Sequence, residues 1–438
     1  MLTPEENDLL CRVEGDAPMG QLMRRHWFPA CLSEELPEPD GAPVPVRLLG
    51  EDLVAWRDSD GRVGLMARLC PHRKASLVYG RNEAHGLRCL YHGWKFDVHG
   101  QAVEMPSEPA QSALMDKVRI KAYPTHEHGG VVWTYMGPPQ GMPEFAPPPW
   151  APTADTKVSI VKMVVDCNWA QVLEGAIDSA HSSSLHSSDI VPARVSGTTH
   201  QTGTMMRRPS TDKAPRIQVQ ATEYGFKYAA IRRPIQHADL QDYVRMTIFV
   251  APFTALIPPN AQYNSANVNV PIDDTHTAFH FISWSHARDG ALDQEEYRKF
   301  MRAQVGIDLD RGYRKLARNA ANDYGQNRLA MRNGNFSGIE GIPNQDIAMW
   351  ESMGPIVDRS SERLGASDLA IVEFRRSMLE AVRRFQGGEP ALGSHATLTR
   401  PQAQITSFEG MLPKGADWRG FDVVGARVGD PATTAVAV

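Results

Sequence analysis

Cysteine is scarce in this chain: there are five in 438 residues. Cys11, Cys31, Cys70, Cys89 and Cys167 are an odd number scattered over a long sequence, which argues against a disulfide framework and for a reducing compartment. Long apolar runs are missing too. The longest, Met246 to Pro258, is interrupted by Thr and Pro and falls short of the ~18 residues of a membrane span. Nothing basic enough to attract nucleic acid stands out, since the formal net charge is −5. No Gly-x-Gly-x-x-Gly follows a strand-like run, so no flavin or nicotinamide site is expected within the chain. There is no internal repeat. Met1 to Asp8 is acidic and polar, which predicts no secretory leader and a cytoplasmic location.

What is present is ordinary globular composition, 42% hydrophobic and 22% charged, at a length that suits about two or three domains. Residues 1–40 read as a helical entry that packs on the larger domain, with Leu9, Leu10, Val13, Met19, Leu22 and Met23 buried. From residue 41 to 136 short β-prone runs alternate with hairpin signals: Val44–Leu49, Leu53–Arg57, the turn Asp58-Ser59-Asp60-Gly61, and later Trp94–Val98 and Val131–Tyr135. Prolines crowd residues 137–152, a stiff extended linker. Residues 153–438 form a mixed domain. It has a strand at Val158–Val165, a helix from Trp169, and a strand-rich block from Gly203 to Ser285. Further helices are expected at Leu292–Arg318 and, capped by Ser367, at Asp368–Phe385. The tail beyond Arg427 is expected to be loosely held. The fold class is α+β: a small all-β domain and a larger one with an antiparallel sheet flanked by helices.

Chemistry concentrates first in two short loops, Cys70-Pro71-His72-Arg73 and Cys89-Leu90-Tyr91-His92-Gly93-Trp94, with sixteen residues between His72 and Cys89. Each offers one Cys and one His. Thiolates bind iron or zinc strongly, and in a [2Fe–2S] cluster two imidazoles can replace two thiolates on one iron, which makes a Rieske centre. A structural zinc site uses the same ligand types but pairs Cys with Cys and His with His on separate arms. Here each arm mixes them, which favours the diiron reading.

The second constellation lies between Asn168 and His186. At about 100° per residue, Glu174, Asp178 and His181 share one stripe of a helix, whereas His186 would point roughly 140° away from His181. Both imidazoles reach one metal only if the helix ends between them, and Ser182-Ser183-Ser184 offers that break. Two His and a carboxylate make the facial triad of non-haem Fe(II). An electron-transfer cluster in the same chain supplies the reason for such an iron.

Cys-x-His-x₁₆-Cys-x₂-His followed by Asp-x₂-His-x₄-His resembles the oxygenase component of the Rieske non-haem iron aromatic-ring hydroxylases, over nearly the whole chain. The resemblance implies a downstream carboxylate as third iron ligand. Asn344 to Arg359 matches that segment and Asp346 is assigned, although spacing alone does not separate it from Asp308, Asp310, Asp323 or Asp358. The metal ligands implied are then Cys70, His72, Cys89 and His92 for the cluster, and His181, His186 and Asp346 for the iron. Asp178 is implied to bridge a Rieske histidine, His92, to His181 across subunits of a homotrimer or hexamer, with Glu174 in support. A separate NAD(P)H-dependent flavin and iron–sulfur reductase is implied as electron source.

The segment around Asp346, with Asp358-Arg359 and Glu362, is most similar to the phthalate dioxygenase branch. Members of that branch act on aromatic acids, so the expected reaction is dioxygenation of an aromatic carboxylate, phthalate favoured and attacked as a 4,5-dioxygenase would, to a cis-dihydrodiol. The alternative is a monooxygenase or O-demethylase acting on isophthalate, phenoxybenzoate or a vanillate-like acid. A carboxylate in an apolar pocket calls for arginine. Arg245 interrupts an apolar strand, and Arg207 or its neighbour Arg208 faces inward by alternation; Arg207 and Arg245 are the chosen pair. Arg232-Arg233 is read as surface. Purified protein reduced with dithionite is expected to show the EPR g-tensor of an imidazole-ligated diiron cluster; a colourless, EPR-silent protein would point to zinc.

Overall fold

The computed structural model describes residues 1–109, 111–193, 206–259, 263–285 and 292–426. The tail beyond 427 and the start of the strand-rich block, 203–205, lie outside them. The chain divides into two compact units, Val13–Phe145 and Met1–Arg12 with the chain from Ala146 on. One division falls within the Pro-rich stretch. The other splits the expected 1–40 entry. Its helix Pro4–Cys11 belongs to the larger unit, but Pro18–Met23 and the strand Trp27–Leu32 belong to the smaller, where Trp27–Leu32 pairs with Val131–Tyr135. That strand is almost wholly buried, and a short, continuous apolar run suits a strand covered on both faces as well as it suits a helix.

Among the described residues, the smaller unit holds two four-stranded sheets and one three-stranded sheet, all antiparallel. Val54, Trp56, Met66, Leu77, Leu87 and Phe96 form its core, and Cys70, Cys89 and Trp94 pack into the same cluster. The two Cys/His loops thus stand on a rigid base.

In the larger unit an eight-stranded sheet runs in the order Lys157–Val165, Thr277–Ser285, Asn264–Pro271, Thr254–Ile257, Gln241–Val250, Gly225–Arg232, Arg216–Thr222, with Phe408–Pro413 paired to the first half of Gln241–Val250. Residues opposite one another on antiparallel strands share a face. Register therefore puts Arg232, Tyr243, Arg245, Thr247 and Glu409 on one face, which continues through Phe249, Ala255, Asn267 and Phe281 to Val161. Val172, Tyr297, Ile347 and Trp350 pack with Val161, Phe279 and Phe281 in one core. The helices Trp169–Ala176, Gln294–Phe300 and Ile342–Ser352 accordingly cover this face. No described helix is long and apolar enough to cross a membrane.

Two expected helices change. In place of Leu292–Arg318 there is only Gln294–Phe300. Beyond it, Asp310 Oδ1 accepts the N–H groups of Gly312 and Arg314 at 2.8 and 2.9 Å, and Gly306 has φ +85°; short acceptor side chains compete with the helical ladder here. The last helix, Leu369–Gln386, has Asp368 rather than Ser367 at its N-cap position, and Asp368 Oδ2 turns back to accept the Gly365 N–H at 2.6 Å in the preceding 3₁₀ turn.

Glu174 ties three helices together. It meets Arg359 Nη2 at 3.0 Å and Arg375 Nε at 2.7 Å, while Arg359 Nη1 donates to Asn7 at 3.0 Å. Burial pushes the Glu174 carboxyl up, but the two guanidinium groups outweigh it and hold the group below the usual range. Arg359→Ala leaves a buried carboxylate short of one partner, and is expected to lower stability by roughly 3 kcal/mol in denaturant unfolding. An unchanged midpoint would mean Arg375 alone suffices.

Candidate active site

The two Cys/His loops are the same turn used twice. Cys70 N–H donates to Ala75 O and Lys74 N–H to Cys70 O, both at 2.9 Å; Cys89 N–H donates to Trp94 O at 2.8 Å and Gly93 N–H to Cys89 O at 3.0 Å. Both turns pass through positive φ, at Lys74 (+60°) and Gly93 (+77°). At the second, a Cβ on Gly93 would lie 2.6 Å from the Pro106 ring, so glycine is needed there. The His72 ring stacks on Trp94 at 4.4 Å with 7° between planes and meets the His92 ring at 4.4 Å. Trp94 is fixed by its Nε1 donating to Ser107 at 3.0 Å. Burial pushes the Cys70 thiol up to about 11, against the backbone N–H of His72. His72 Nδ1 is buried without a hydrogen-bond partner. Two buried sulfurs and an imidazole nitrogen with an unused lone pair fit a cluster whose iron takes up the thiolate charge.

The second constellation forms by a different break from the expected one. The helix from Trp169 ends at Ala176, before Asp178, so Glu174, Asp178 and His181 do not share a helical stripe. Asp178 makes the turn: its Oδ1 accepts the N–H of Ala180 at 2.7 Å and of His181 at 3.3 Å, starting a 3₁₀ turn at His181–Ser183. The carbonyls freed at the helix end are taken by the sheet. Tyr228 donates to Ile177 O at 2.5 Å and Arg232 to Ser179 O at 2.7 Å. Glu174 is turned to its arginines and supports the site only by anchoring this helix.

His181, His186 and Asp346 converge. His181 Nε2 and His186 Nε2 are 3.1 Å apart, and Asp346 Oδ1 lies 3.5 and 3.0 Å from them respectively. Among the described residues these three can hold a metal ion. Asp346 is not a helix N-cap but lies inside Ile342–Ser352, whose cap is Gly341. His186 Nδ1 is 2.7 Å from Gln345 Oε1. The Gln345 amide nitrogen is committed to Asp189 at 2.8 Å and Ile339 O at 2.9 Å. Its oxygen must then accept, so His186 carries its proton on Nδ1 and turns a bare Nε2 toward His181 and Asp346. On the other imidazole, His181 Nδ1 is 3.5 Å from Asp178 Oδ2. Burial pushes the Asp178 carboxyl up, but His181 and the two backbone N–H groups hold it below the usual range.

A pocket opens beside this triad. Ile190, Met206, Phe279, Phe281, Ile342 and Trp350 give it apolar walls, and Arg208 and Arg245 reach it from the other side. Both arginines are 5% exposed. Arg207, one residue away, is half-buried and is not among the lining residues, so the inward member of the pair is Arg208. It donates to Ser182 at 2.9 Å and Ser183 at 3.1 Å. Arg232, read as surface, is 1% exposed because its strand is covered on both faces.

The family described as Rieske [2Fe-2S] domain matches residues 26–124, and that described as LigXa C-terminal domain like matches residues 134–435. The chain is 64% identical over 421 residues to the phthalate 4,5-dioxygenase oxygenase subunit of Pseudomonas putida, covering 96% of this chain and 95% of that one. The chain belongs to the Rieske non-haem iron oxygenases. The 3-chlorobenzoate-3,4-dioxygenase oxygenase subunit of Comamonas testosteroni is 36% identical over 438 residues, covering 95% of this chain and 97% of that one. Among solved structures, NdmA QL mutant with caffeine, from Pseudomonas putida CBB5, superposes with a TM-score of 0.60 over 87% of this chain and 97% of that one, at 19% identity, a likeness of fold. Rieske oxygenases of this kind carry a [2Fe–2S] cluster and a mononuclear iron, and an oxygenase subunit works with a separate reductase.

Gln345 and Asp189 escape the sequence reading, Arg208 enters it only as the alternative to Arg207, and Arg232 is read there as surface. Gln345 adjoins Asp346 in a matched segment, yet only its contact with His186 distinguishes it from any helical Gln. Gln345→Leu removes the acceptor that orients His186, and should weaken Fe(II) binding about 10- to 100-fold while leaving the diiron signal intact, as read by iron titration.

Proposed function

We propose that this Rieske oxygenase is the terminal component of a phthalate dioxygenase, placing both atoms of O₂ on the ring of phthalate to give a cis-dihydrodiol. The observation that carries this reading is the pair of buried guanidinium groups, Arg208 and Arg245, in the apolar pocket that also contains His181, His186 and Asp346. Burial pushes Arg208 down to about 9, and the charges of Arg245 and Arg232 push the same way. Such crowding of cations is costly until an anion joins them. Two adjacent ring carboxylates offer two planar anionic groups, which suit two guanidinium forks. The name of the 64% identical relative, phthalate 4,5-dioxygenase oxygenase subunit, supports the same substrate.

In this reading Cys70, His72, Cys89 and His92 hold the cluster, and His181, His186 and Asp346 hold the iron. When bound, the cluster relays single electrons and the iron is where dioxygen is activated. The remaining work falls to the protein. Arg208 and Arg245 fix the ring by its carboxylates, and Phe279, Phe281 and Trp350 pack against its faces and exclude water. Gln345 and Asp178 each orient one imidazole. Asp178, an anion with a quarter of its side chain exposed, is also the group we assign to receive a cluster imidazole of a neighbouring copy, in a homotrimer or hexamer. An NAD(P)H-dependent flavin and iron–sulfur reductase in the cytoplasm supplies two electrons, and two protons complete the dihydrodiol.

The test is turnover of phthalate, isophthalate, terephthalate and vanillate under ¹⁸O₂ with a surrogate reductase. Two labelled atoms in a phthalate product are expected; a demethylated vanillate with no phthalate turnover would replace this reading with the O-demethylase one. Arg208→Ala and Arg245→Ala should each raise KM for the diacid about tenfold or more and barely change that for a neutral diester. Arg207→Ala should do neither.

A further inference from the structure

The arginines of the pocket are answered by a carboxylate that the proposed chemistry does not use. Glu409, 3% exposed, lies on the strand Phe408–Pro413, directly opposite Arg245 on Gln241–Val250. Tyr243, two residues from Arg245 and on the same face, donates its hydroxyl to Glu409 Oε1 at 2.5 Å. Arg232 is the cross-strand neighbour of Tyr243 on the next strand. Arg208, which lines the pocket, favours the ionised form of Glu409 by its charge. The groups facing Glu409 are thus Tyr243 and Arg245 from the strand beside it and Arg208 from Met206–Arg208, with Arg232 one strand further. Among the described residues, these three guanidinium groups and the ionised Glu409 carboxylate sum to +2.

That sum matches a dianion, but the single carboxylate also repels one, and twice as strongly as it repels a monoanion at the same distance. We propose that Glu409 sets the charge selectivity of the pocket: it positions Arg245 across the strand pair, and it takes up a proton when an aromatic dicarboxylate binds. The inference rests on the phthalate reading above. Burial pushes the Glu409 carboxyl up to about 7, while Arg245, the Tyr243 hydroxyl and Arg208 act in the other direction. A bound dianion adds negative charge and raises it further. By linkage, the diacid binds more weakly as pH rises through that region. A monocarboxylate, with half the charge, is affected less. Glu409 is therefore a positioning residue that touches no reacting atom, and its ionised form narrows the preference for two carboxylates over one.

The experiment is calorimetric titration of the metal-loaded full-length protein with phthalate, benzoate and benzamide between pH 6.5 and 8.5, in buffers of different ionisation enthalpy. Wild type is expected to take up about half a proton per phthalate near pH 7.5, with Kd weakening about fivefold across the range. Glu409→Gln should lose both the uptake and the pH dependence. Uptake that persists in Glu409→Gln, or none in wild type, overturns the role of Glu409 and leaves the substrate reading standing. Phthalate bound no more tightly than benzamide overturns the substrate reading instead. If Glu409→Gln does not fold, Tyr243→Phe decides: it removes a hydroxyl that favours the ionised carboxyl, so the midpoint of the pH dependence should move up, and an unmoved midpoint counts against the proposal.

Discussion

The end of the helix at Ala176 is the constraint on which the active site depends. Two histidines five residues apart point in different directions on a helix, so the chain must leave the helix to bring them to one point. Asp178 drives the departure by accepting the N–H groups of Ala180 and His181. Tyr228 and Arg232 make it affordable by satisfying the carbonyls of Ile177 and Ser179. Those two residues stand on the sheet face that also carries Arg245, Thr247 and Glu409. The histidine loop and the arginine-lined pocket therefore share one scaffold, the sheet whose strand register places Tyr228, Arg232 and Arg245.

Two of the places where the larger unit buries ions differ in their balance of charge, and the contrast separates structure from function. Around Glu174 the charges are matched, with Arg359, Arg375 and Glu362 in direct contact; such a network holds one arrangement of three helices. Around Arg245 the described guanidinium groups outnumber the carboxylates. Arg208 is pushed down to about 9 and Arg232 to about 10, each first by burial and then by neighbouring guanidinium charge. A fold that needed only stability would have no use for this excess, whereas a pocket for an anionic ring acquires affinity and selectivity from it.

The smaller unit was the more legible of the two. Its ligands come in two local motifs, each closed by hydrogen bonds within six residues, so sequence spacing and spatial arrangement coincide. Asp58-Ser59-Asp60-Gly61 likewise forms its turn, with Asp58 Oδ1 accepting the Asp60 N–H at 3.0 Å and the Arg62 N–H at 2.8 Å. What misled was the entry segment: Trp27–Leu32 has no periodicity to separate a buried strand from a helix, and only its pairing with Val131–Tyr135 decides.

The amino-acid sequence by itself determined the Rieske-type ligand pattern, the candidate iron histidines, the division into a small β unit and a larger mixed one, and, through resemblance, the choice of Asp346. All but the last are written in spacing or local hydrogen bonding. Tertiary structure alone decided where the helix carrying Asp178 stops, that Glu174 turns away from the histidines, that Gln345 orients His186, and that Arg208 rather than Arg207 enters the pocket. It also revealed Arg232 and Glu409 as buried charges. A side chain's partner some 160 residues away, like Glu409 beside Tyr243, leaves no trace in local pattern, because register between strands and the closing of a core fix it only once the whole sheet has formed.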